Sequence, residues 1–316
     1  MQENYGARLL RFHQFCNSRK IPESSCMPAS DNLLALFVAS WASKIATMTV
    51  ENWLAGLHFW HTMHGVPWHG HALLHMSTAG VRKLVPEVSK CLRRPPVTLE
   101  HMHMLYCNLD LSNTFDVSVF AVASIAFWSC CRLGELIINS ANSFDASRHV
   151  ACAVQITRRS PANGVSWSSF SIPWSKTTLG AGAKIILSHV DDFTNPVTAL
   201  NHHISANAIV PPHAPLFAFE TASGGWAPMT RLWFLTCCNQ VWKGASLLEL
   251  TGHCFRTGGA TELLLRGVPP DVVAVQGHWK SQEFLEYWHK IDSILPLLSH
   301  HSMTQSSMDS FNRRYK

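Results

Sequence analysis

Charge, tyrosine and long apolar runs are all scarce in this chain. Asp, Glu, Lys and Arg make up only 14% of the 316 residues, and the net charge is +5 beside 19 histidines. That basic excess permits a polyanionic partner without requiring one. The longest nearly apolar runs, Leu33 to Ala42 and Val117 to Trp128, fall short of the roughly 18 residues needed to span a bilayer, so no membrane partner is expected. The stretch MQENYGARLLR lacks the apolar core of a secretory signal. The ten cysteines form no C-x-x-C pair and read as reduced, mostly buried thiols of an intracellular protein. Repeats at solenoid or propeller spacing are missing too. Against these absences, 47% of residues are apolar, enough for two hydrophobic cores or one large one.

Helical periodicity dominates what is present. Leu9, Phe12 and Phe15 set a helix over residues 7–20, with Arg8, Arg11, Arg19 and Lys20 around it. In PASDNLLALFVASWASKIATM, Ser30 or Asp31 offers an N-cap, and Leu34, Phe37, Val38, Trp41, Ile45 and Met48 repeat every 3.6 residues or so, predicting one helix through Met48. Residues 50–64 and 71–85 read as two more helices, separated by a Gly-Val-Pro-Trp turn. No strand pattern precedes residue 148, so residues 1–92 are expected to form a helical bundle. PEVSKCLRRPPV follows, broken by Pro86, Pro95 and Pro96 and made basic by Lys90, Arg93 and Arg94; it reads as a linker.

Beyond the linker, TLEHMHMLYCNL and FDVSVFAVASIAFWSCCRLGEL predict two helices, the second apolar on most sides and therefore buried. HVACAVQI, WSSFSIPW and AKIILS are short, β-rich and separated by turn residues, which predicts a three-stranded antiparallel sheet. Helices resume with PVTALNHHISANA and, behind a Thr230 cap, MTRLWFLTCCNQVWKGA. The fold class is thus mainly α with a small antiparallel three-stranded β-sheet. A second domain covers 93–298, and the polar, Ser-rich tail 299–316 is expected to be mobile.

The candidate chemistry lies in the second domain. Arg132 in CCRLGEL falls at the end of the buried helix, where a guanidinium is costly without a partner. Glu135, three residues on, shares its face and would lock the fork for bidentate contact with an anion. Lys176 in PWSKTTLGAG sits at a strand tip entering a Gly-rich turn, from which its ammonium can give a proton to a leaving oxygen. His253 and Arg256 open a helical run as His-x-x-Arg, His278 lies in a Gly-His-Trp turn, and Tyr287, one of only four tyrosines, follows nine residues later. Each is unremarkable alone. Together they suggest a site that holds a phosphodiester while a phenol attacks it.

The order Arg132 with Glu135, Lys176 on a β-hairpin, His253-x-x-Arg256, His278, then Tyr287 resembles the tyrosine recombinase (phage integrase) superfamily. The wording of ARLLRFHQFC, NWLAGLHFWHTMHG, RPPVTLEHMH and GGATELLLRGVPPDVVAVQG is similar to the Crypton-type recombinase domains of mushroom-forming fungi. HCFRTGG and QGHW depart from the HSFRIGG and QGRW of those relatives. The resemblance covers residues 6–298 and implies a catalytic domain preceded by a helical DNA-clamping, SAM-like domain. It implies a 3′-phosphotyrosyl link made by Tyr287, transition-state charge held by Arg132, Arg256 and His278, a tyrosine proton handled by His253, and a 5′ oxygen protonated by Lys176. Two fixed guanidiniums take the place of a metal, so no metal or other cofactor is expected. The implied partner is double-stranded DNA, bound by a monomer that assembles as a homotetramer on paired sites in the nucleus of a fungal cell, with no small-molecule substrate.

Other readings remain open at this point: a type IB topoisomerase, which uses a similar residue set, a domesticated DNA-binding protein without catalysis, or an accidental motif on an unrelated helical scaffold. Cys254 and Thr257, flanking Arg256, are expected to perturb its packing. Arg82, Lys83, Lys90, Arg93 and Arg94 form a basic run suited to the DNA backbone. His58, His61, His64, His69, His71 and His75 lack Cys or carboxylate partners at ligand spacing and read as packing or DNA-facing residues. Trp41, Trp53, Trp60 and Trp68 read as core. His101, His103, His202, His203, His300 and His301 read as surface residues.

Overall fold

A computed structural model describes residues 2–89, 95–160, 164, 166–279, 292 and 294–295. The chain divides into two compact units, residues 1–93 and 94–316.

The first unit is helical among its described residues. It contains α1 (Gln2–Ser18), α2 (Glu23–Cys26), α3 (Asp31–Ala39), α4 (Thr47–Met63) and α5 (Ala72–Lys83). Its core gathers Phe12, Phe15, Leu34, Phe37, Val38, Val50 and Leu57, with Trp41, Trp53 and Trp68 packed against it. Ser30 is the N-cap of α3, its Oγ accepting from Leu33 N at 3.3 Å. The neighbouring Asp31 caps a different helix: its Oδ1 accepts from His71 N and Leu74 N at the start of α5. The helix expected through Met48 ends early, because the chain leaves α3 at Ser40 and turns with Ser43 at φ 57; the helix expected from residue 50 is α4, which begins at Thr47. Trp41 therefore meets Trp53 of α4 edge-on at 5.0 Å between centroids. The helical period of its sequence reflected burial beyond the end of the helix.

The second unit is built around α7 (Thr114–Trp128), preceded by α6 (Leu99–Asn108). Val117 through Trp128 of α7 are buried without interruption. Each large apolar side chain there contributes about 1.5–3 kcal/mol relative to exposure. α7 packs against α9 (Pro196–Ala206) and α11 (Gly252–Leu265). The approach to α11 is close because Gly259 has no side chain: a Cβ there would lie 1.8 Å from Phe127 O. The unit also contains the one-turn α8 (Leu133–Leu136), α10 (Arg231–Gly244) and α12 (Pro270–Gln276), with Thr230 capping α10 through Trp233 N.

The three-stranded antiparallel sheet has the order β1 (Thr157–Arg159), β2 (Trp167–Ile172), β3 (Ala183–Ser188). A two-stranded ribbon joins β4 (Phe219–Glu220) to β5 (Trp226–Ala227). The first strand was expected at HVACAVQI, residues 149–156, but β1 follows that segment. Val150–Ala153 instead exchanges backbone hydrogen bonds with the 212–216 loop: Cys152 N donates to Ala214 O, Ala153 N to Pro212 O, and Leu216 N to Val150 O. Its β-rich composition is satisfied by loop pairing rather than by the sheet.

One histidine in each of two pairs is buried against expectation, while His202 is exposed as expected. His101 is buried beneath Trp242, and His203 is buried with Nδ1 near Ser118 Oγ and Asn207 Nδ2 and with Nε2 against Leu216 O at 2.8 Å. His103 lies 3.1 Å from an Asp192 oxygen. His300 and His301 lie outside the described residues.

Candidate active site

The site begins where α7 stops. Cys130 takes φ 49, in the left-handed region that a Cβ disfavours. This bend ends the helix, so Arg132 does not finish a long buried helix as its sequence suggests. It is the N-cap residue of α8. The Glu135 carboxylate binds it twice, Oε2 accepting from Arg132 N at 2.9 Å and Oε1 from Arg132 Nη1 at 2.9 Å. Glu135 is almost fully buried while the Arg132 side chain keeps 28% of its exposure. The carboxylate thus fixes one edge of the fork, and the arginine still reaches solvent.

The bend also turns the Cys130 carbonyl toward α11, where it accepts from Arg256 Nη1 at 2.8 Å. Arg256 is 2% exposed, and its Nη2 is buried with no hydrogen-bond partner among the described residues. Burial lowers the Arg256 pKa, and the nearby Arg132 charge lowers it further, while Glu135 opposes both. The Cys130 thiol, pushed up to about 12 by burial, stays neutral there. Two guanidiniums therefore sit within electrostatic reach of each other around a single carboxylate, and one has a buried donor to offer. An anion is the group that relieves both conditions.

His253 stands on the first turn of α11, one turn before Arg256, and is exposed. Cys254 and Thr257 are both buried. The Cys254 carbonyl accepts from Val97 N at 3.0 Å and its Sγ lies 3.4 Å from Thr251 Oγ1, while Thr257 Oγ1 donates to His253 O one turn earlier at 3.2 Å. His278 takes φ 55 just beyond α12, and its Nε2 lies 3.1 Å from Lys184 O on β3. Gln276 ties the same corner, donating to Ile186 O at 3.0 Å. Lys184 is one residue past the Ile172–Ala183 pair that closes the β2–β3 loop. Lys176 lies in that loop, exposed, in a tight turn closed by Leu179 N donating to Ser175 O at 2.8 Å. Arg132 and Glu135 are thus bonded directly, Arg256 is tied to the carbonyl two residues before Arg132, and His278 is joined to the base of the hairpin that carries Lys176. Tyr287 lies outside the described residues.

Sequence reasoning missed two contributors, the Cys130 carbonyl and Trp279, whose ring centroid lies 3.9 Å from Arg256 Cζ. A Cys-Cys pair carries no signal for a left-handed bend, and nothing in Gly-His-Trp shows which way the indole faces.

The basic run divides. Lys83 is exposed, whereas Arg82 is engaged by Glu51 through Nη2 at 2.6 Å and Nε at 2.9 Å while remaining 61% exposed. Lys90, Arg93 and Arg94 lie outside the described residues. In the histidine-rich segment, His61 is fully buried and bonded at both nitrogens, to Ala29 N at 2.9 Å and Leu57 O at 2.8 Å. Among the described residues no three His, Cys, Asp or Glu side chains converge as a metal-sized group.

No family model and no curated protein matches the sequence. Solved structures do match. The chain is similar to XerH site-specific recombinase bound to palindromic difH substrate, with a TM-score of 0.59 at 14% identity over 96% of this chain and 79% of that one. The fold is that of the tyrosine recombinase catalytic domain. Similarity extends to the Tn1549 transposon integrase in complex with transposon right end DNA, with a TM-score of 0.54 at 14% identity over 94% and 93% of the two chains. It extends also to a lambda integrase dimer bound to a COC′ core site, with a TM-score of 0.50 at 13% identity over 90% and 87%.

Proposed function

We propose that the protein is a DNA recombinase or transposase that breaks and rejoins strands through a 3′-phosphotyrosyl intermediate. The observation that carries this reading is the Arg132–Glu135–Arg256 constellation, two guanidiniums within electrostatic reach of each other, one with a buried Nη2 that has no partner among the described residues, on a fold shared with proteins solved on recombination-site and transposon-end DNA. A scissile phosphodiester supplies the missing acceptor and the negative charge.

In the proposed step the Tyr287 phenolic oxygen bonds to phosphorus as the bond from phosphorus to the 5′ oxygen breaks. Charge gathering on the non-bridging oxygens is held by Arg132 and Arg256, with His278 as a further donor. His253 takes the phenol proton or orients the phosphate, and Lys176 protonates the departing oxygen. One phosphodiester becomes one phosphotyrosyl ester and one 5′-hydroxyl, so the same bond energy drives rejoining. Tyr287 falls between Trp279 and Ile294, and those two residues pack on the cluster containing Cys130, whose carbonyl holds Arg256.

In this reading the first unit and the basic stretch from Arg82 to Arg94 bind the duplex backbone. The protein acts as a tetramer on paired sites, in the nucleus of a fungal cell, as a Crypton-like element's recombinase. A duplex carrying a 5′-bridging phosphorothiolate tests the chemistry, because its leaving sulfur cannot rejoin. Wild type should accumulate a covalent protein–DNA complex that Tyr287→Phe does not form. Binding of a broad duplex pool without any covalent complex would replace the reading with a catalytically silent DNA-binding protein. Relaxation of supercoils by dilute monomer would replace it with a topoisomerase.

A further inference from the structure

Trp279 has no role in the reaction set out above, yet its ring stands against Arg256. Its ring centroid lies 3.9 Å from Arg256 Cζ, well inside the roughly 6 Å over which such contacts act. The ring also fills the space that Gly277 leaves free: a Cβ on Gly277 would come within 1.8 Å of it. The indole packs against the cluster of Cys130, Ala260, Leu264, Val273 and Ile294.

A guanidinium offers its N–H donors in one plane and two faces above and below it. In the plane, Arg256 gives Nη1 to the Cys130 carbonyl and keeps a buried Nη2 without a partner among the described residues. On a face it has the indole. A carboxylate in that position would also stabilise the buried cation, but it would consume an in-plane donor and cancel the charge an anion is attracted to. An aliphatic side chain would desolvate the cation and return nothing, beside a second arginine. An aromatic face stabilises the charge while leaving every in-plane donor available.

We propose that Trp279 is a positioning residue for phosphate recognition, holding the Arg256 guanidinium flat and desolvated so that Nη2 meets a non-bridging oxygen of the scissile phosphate. The inference rests on the recombinase reading above and adds a residue to it.

The test measures covalent-complex formation by the full chain on the phosphorothiolate duplex at saturating protein, alongside binding affinity. Trp279→Leu should slow cleavage by about tenfold to a hundredfold with affinity within about twofold of wild type. Trp279→Phe, with a weaker aromatic face, should fall between the two. A second duplex carries a methylphosphonate at the scissile position, which removes the non-bridging charge that Arg256 meets. On it the Trp279→Leu penalty should shrink to about twofold, whereas a loss of packing alone would slow both duplexes alike. Equal penalties on the two duplexes, or cleavage of the charged one at the wild-type rate, would overturn the proposal. If the Leu variant unfolds, the Trp-to-Phe comparison still decides, because equal rates on the charged duplex contradict it. Wild type that cleaves nothing overturns the recombinase reading and this inference with it. Active wild type with an indifferent Trp279 overturns the inference alone.

Discussion

Arg256 donates its Nη1 hydrogen to the main-chain oxygen of Cys130, 126 positions earlier in the chain, at 2.8 Å. The acceptor belongs to the residue whose left-handed φ of 49 ends α7, so the bend that stops the buried helix also holds the second arginine of the site. A lysine at 256 could keep the charge but not both in-plane contacts. Arg256→Lys should fold and bind duplex DNA, yet form covalent complex about a hundredfold to a thousandfold more slowly, the usual cost of removing one preorganised donor from a charged transition state. Wild-type rates in this variant would mean that the guanidinium fork is not used.

Glu135 holds both the backbone and the side chain of Arg132. Glu135→Ala leaves a partly buried guanidinium and a backbone N–H without their acceptor. The loss should be about 2–3 kcal/mol, less than for a fully buried pair because Arg132 keeps 28% of its side-chain exposure. Glu135→Gln retains an acceptor for one of the two bonds and should lose roughly half as much. Urea unfolding of the three proteins measures both values, and equal stability of wild type and the Ala variant would contradict the assignment.

Two glycine substitutions should have opposite signs. In Gly259→Ala the new Cβ would meet Phe127 O at 1.8 Å, with backbone on both sides, so α11 must move away from α7 at a cost of about 3 kcal/mol or more. Gly80→Ala on α5 meets nothing within 4 Å and should add about 0.5–1 kcal/mol by restricting the unfolded chain. Hydrogen exchange of the amides in α11 and α5 reads the two effects separately.

Acid should destabilise the second unit through His203, whose pKa burial lowers from the ordinary 6.5 to about 4. The folded state holds the imidazole neutral and the unfolded state does not. Above pH 6.5 neither state is protonated and the full stability is present. As pH falls from 6.5 toward 4 the unfolded chain takes up the extra proton and stability declines, by on the order of 3 kcal/mol in total. Burial lowers the His101 pKa in the same direction. Denaturation midpoints between pH 7.5 and 4.5 should drop steeply for wild type and less for His203→Gln; parallel curves would remove His203 as the cause.

Salt dependence should distinguish Lys83 from Arg82. Replacing one phosphate-contacting cation lowers the slope of log affinity against log salt by about 0.9, and exposed Lys83→Ala should show that full change. Arg82 is already partly neutralised by Glu51 at 2.6 Å, so Arg82→Ala should change the slope less and Glu51→Gln should tighten binding. Anisotropy titrations across salt concentrations decide it, and an unchanged slope in Lys83→Ala would remove that residue from the proposed DNA surface.

The local pattern of residues determined the helical elements, the β2–β3 hairpin, the Ser30 and Thr230 caps and the buried character of α7, because helical period, capping side chains and turn residues act within a few positions of one another. The order of Arg132, Glu135, Lys176, His253, Arg256 and His278 was legible for the same reason: it is an order along the chain. What only the tertiary structure decided lies across long separations or depends on a single backbone angle. The break at Cys130 turned one predicted helix into two and made Arg132 an N-cap. Loop pairing with residues 212–216 took the place of the first expected strand. His101 and His203 went inside because α10 and α7 cover them, which their own neighbours in sequence do not reveal. The donor that Arg256 offers is likewise a tertiary property: a carbonyl from the bend after α7, an indole from beyond α12 and the charge of Arg132 converge on it only after these segments have packed.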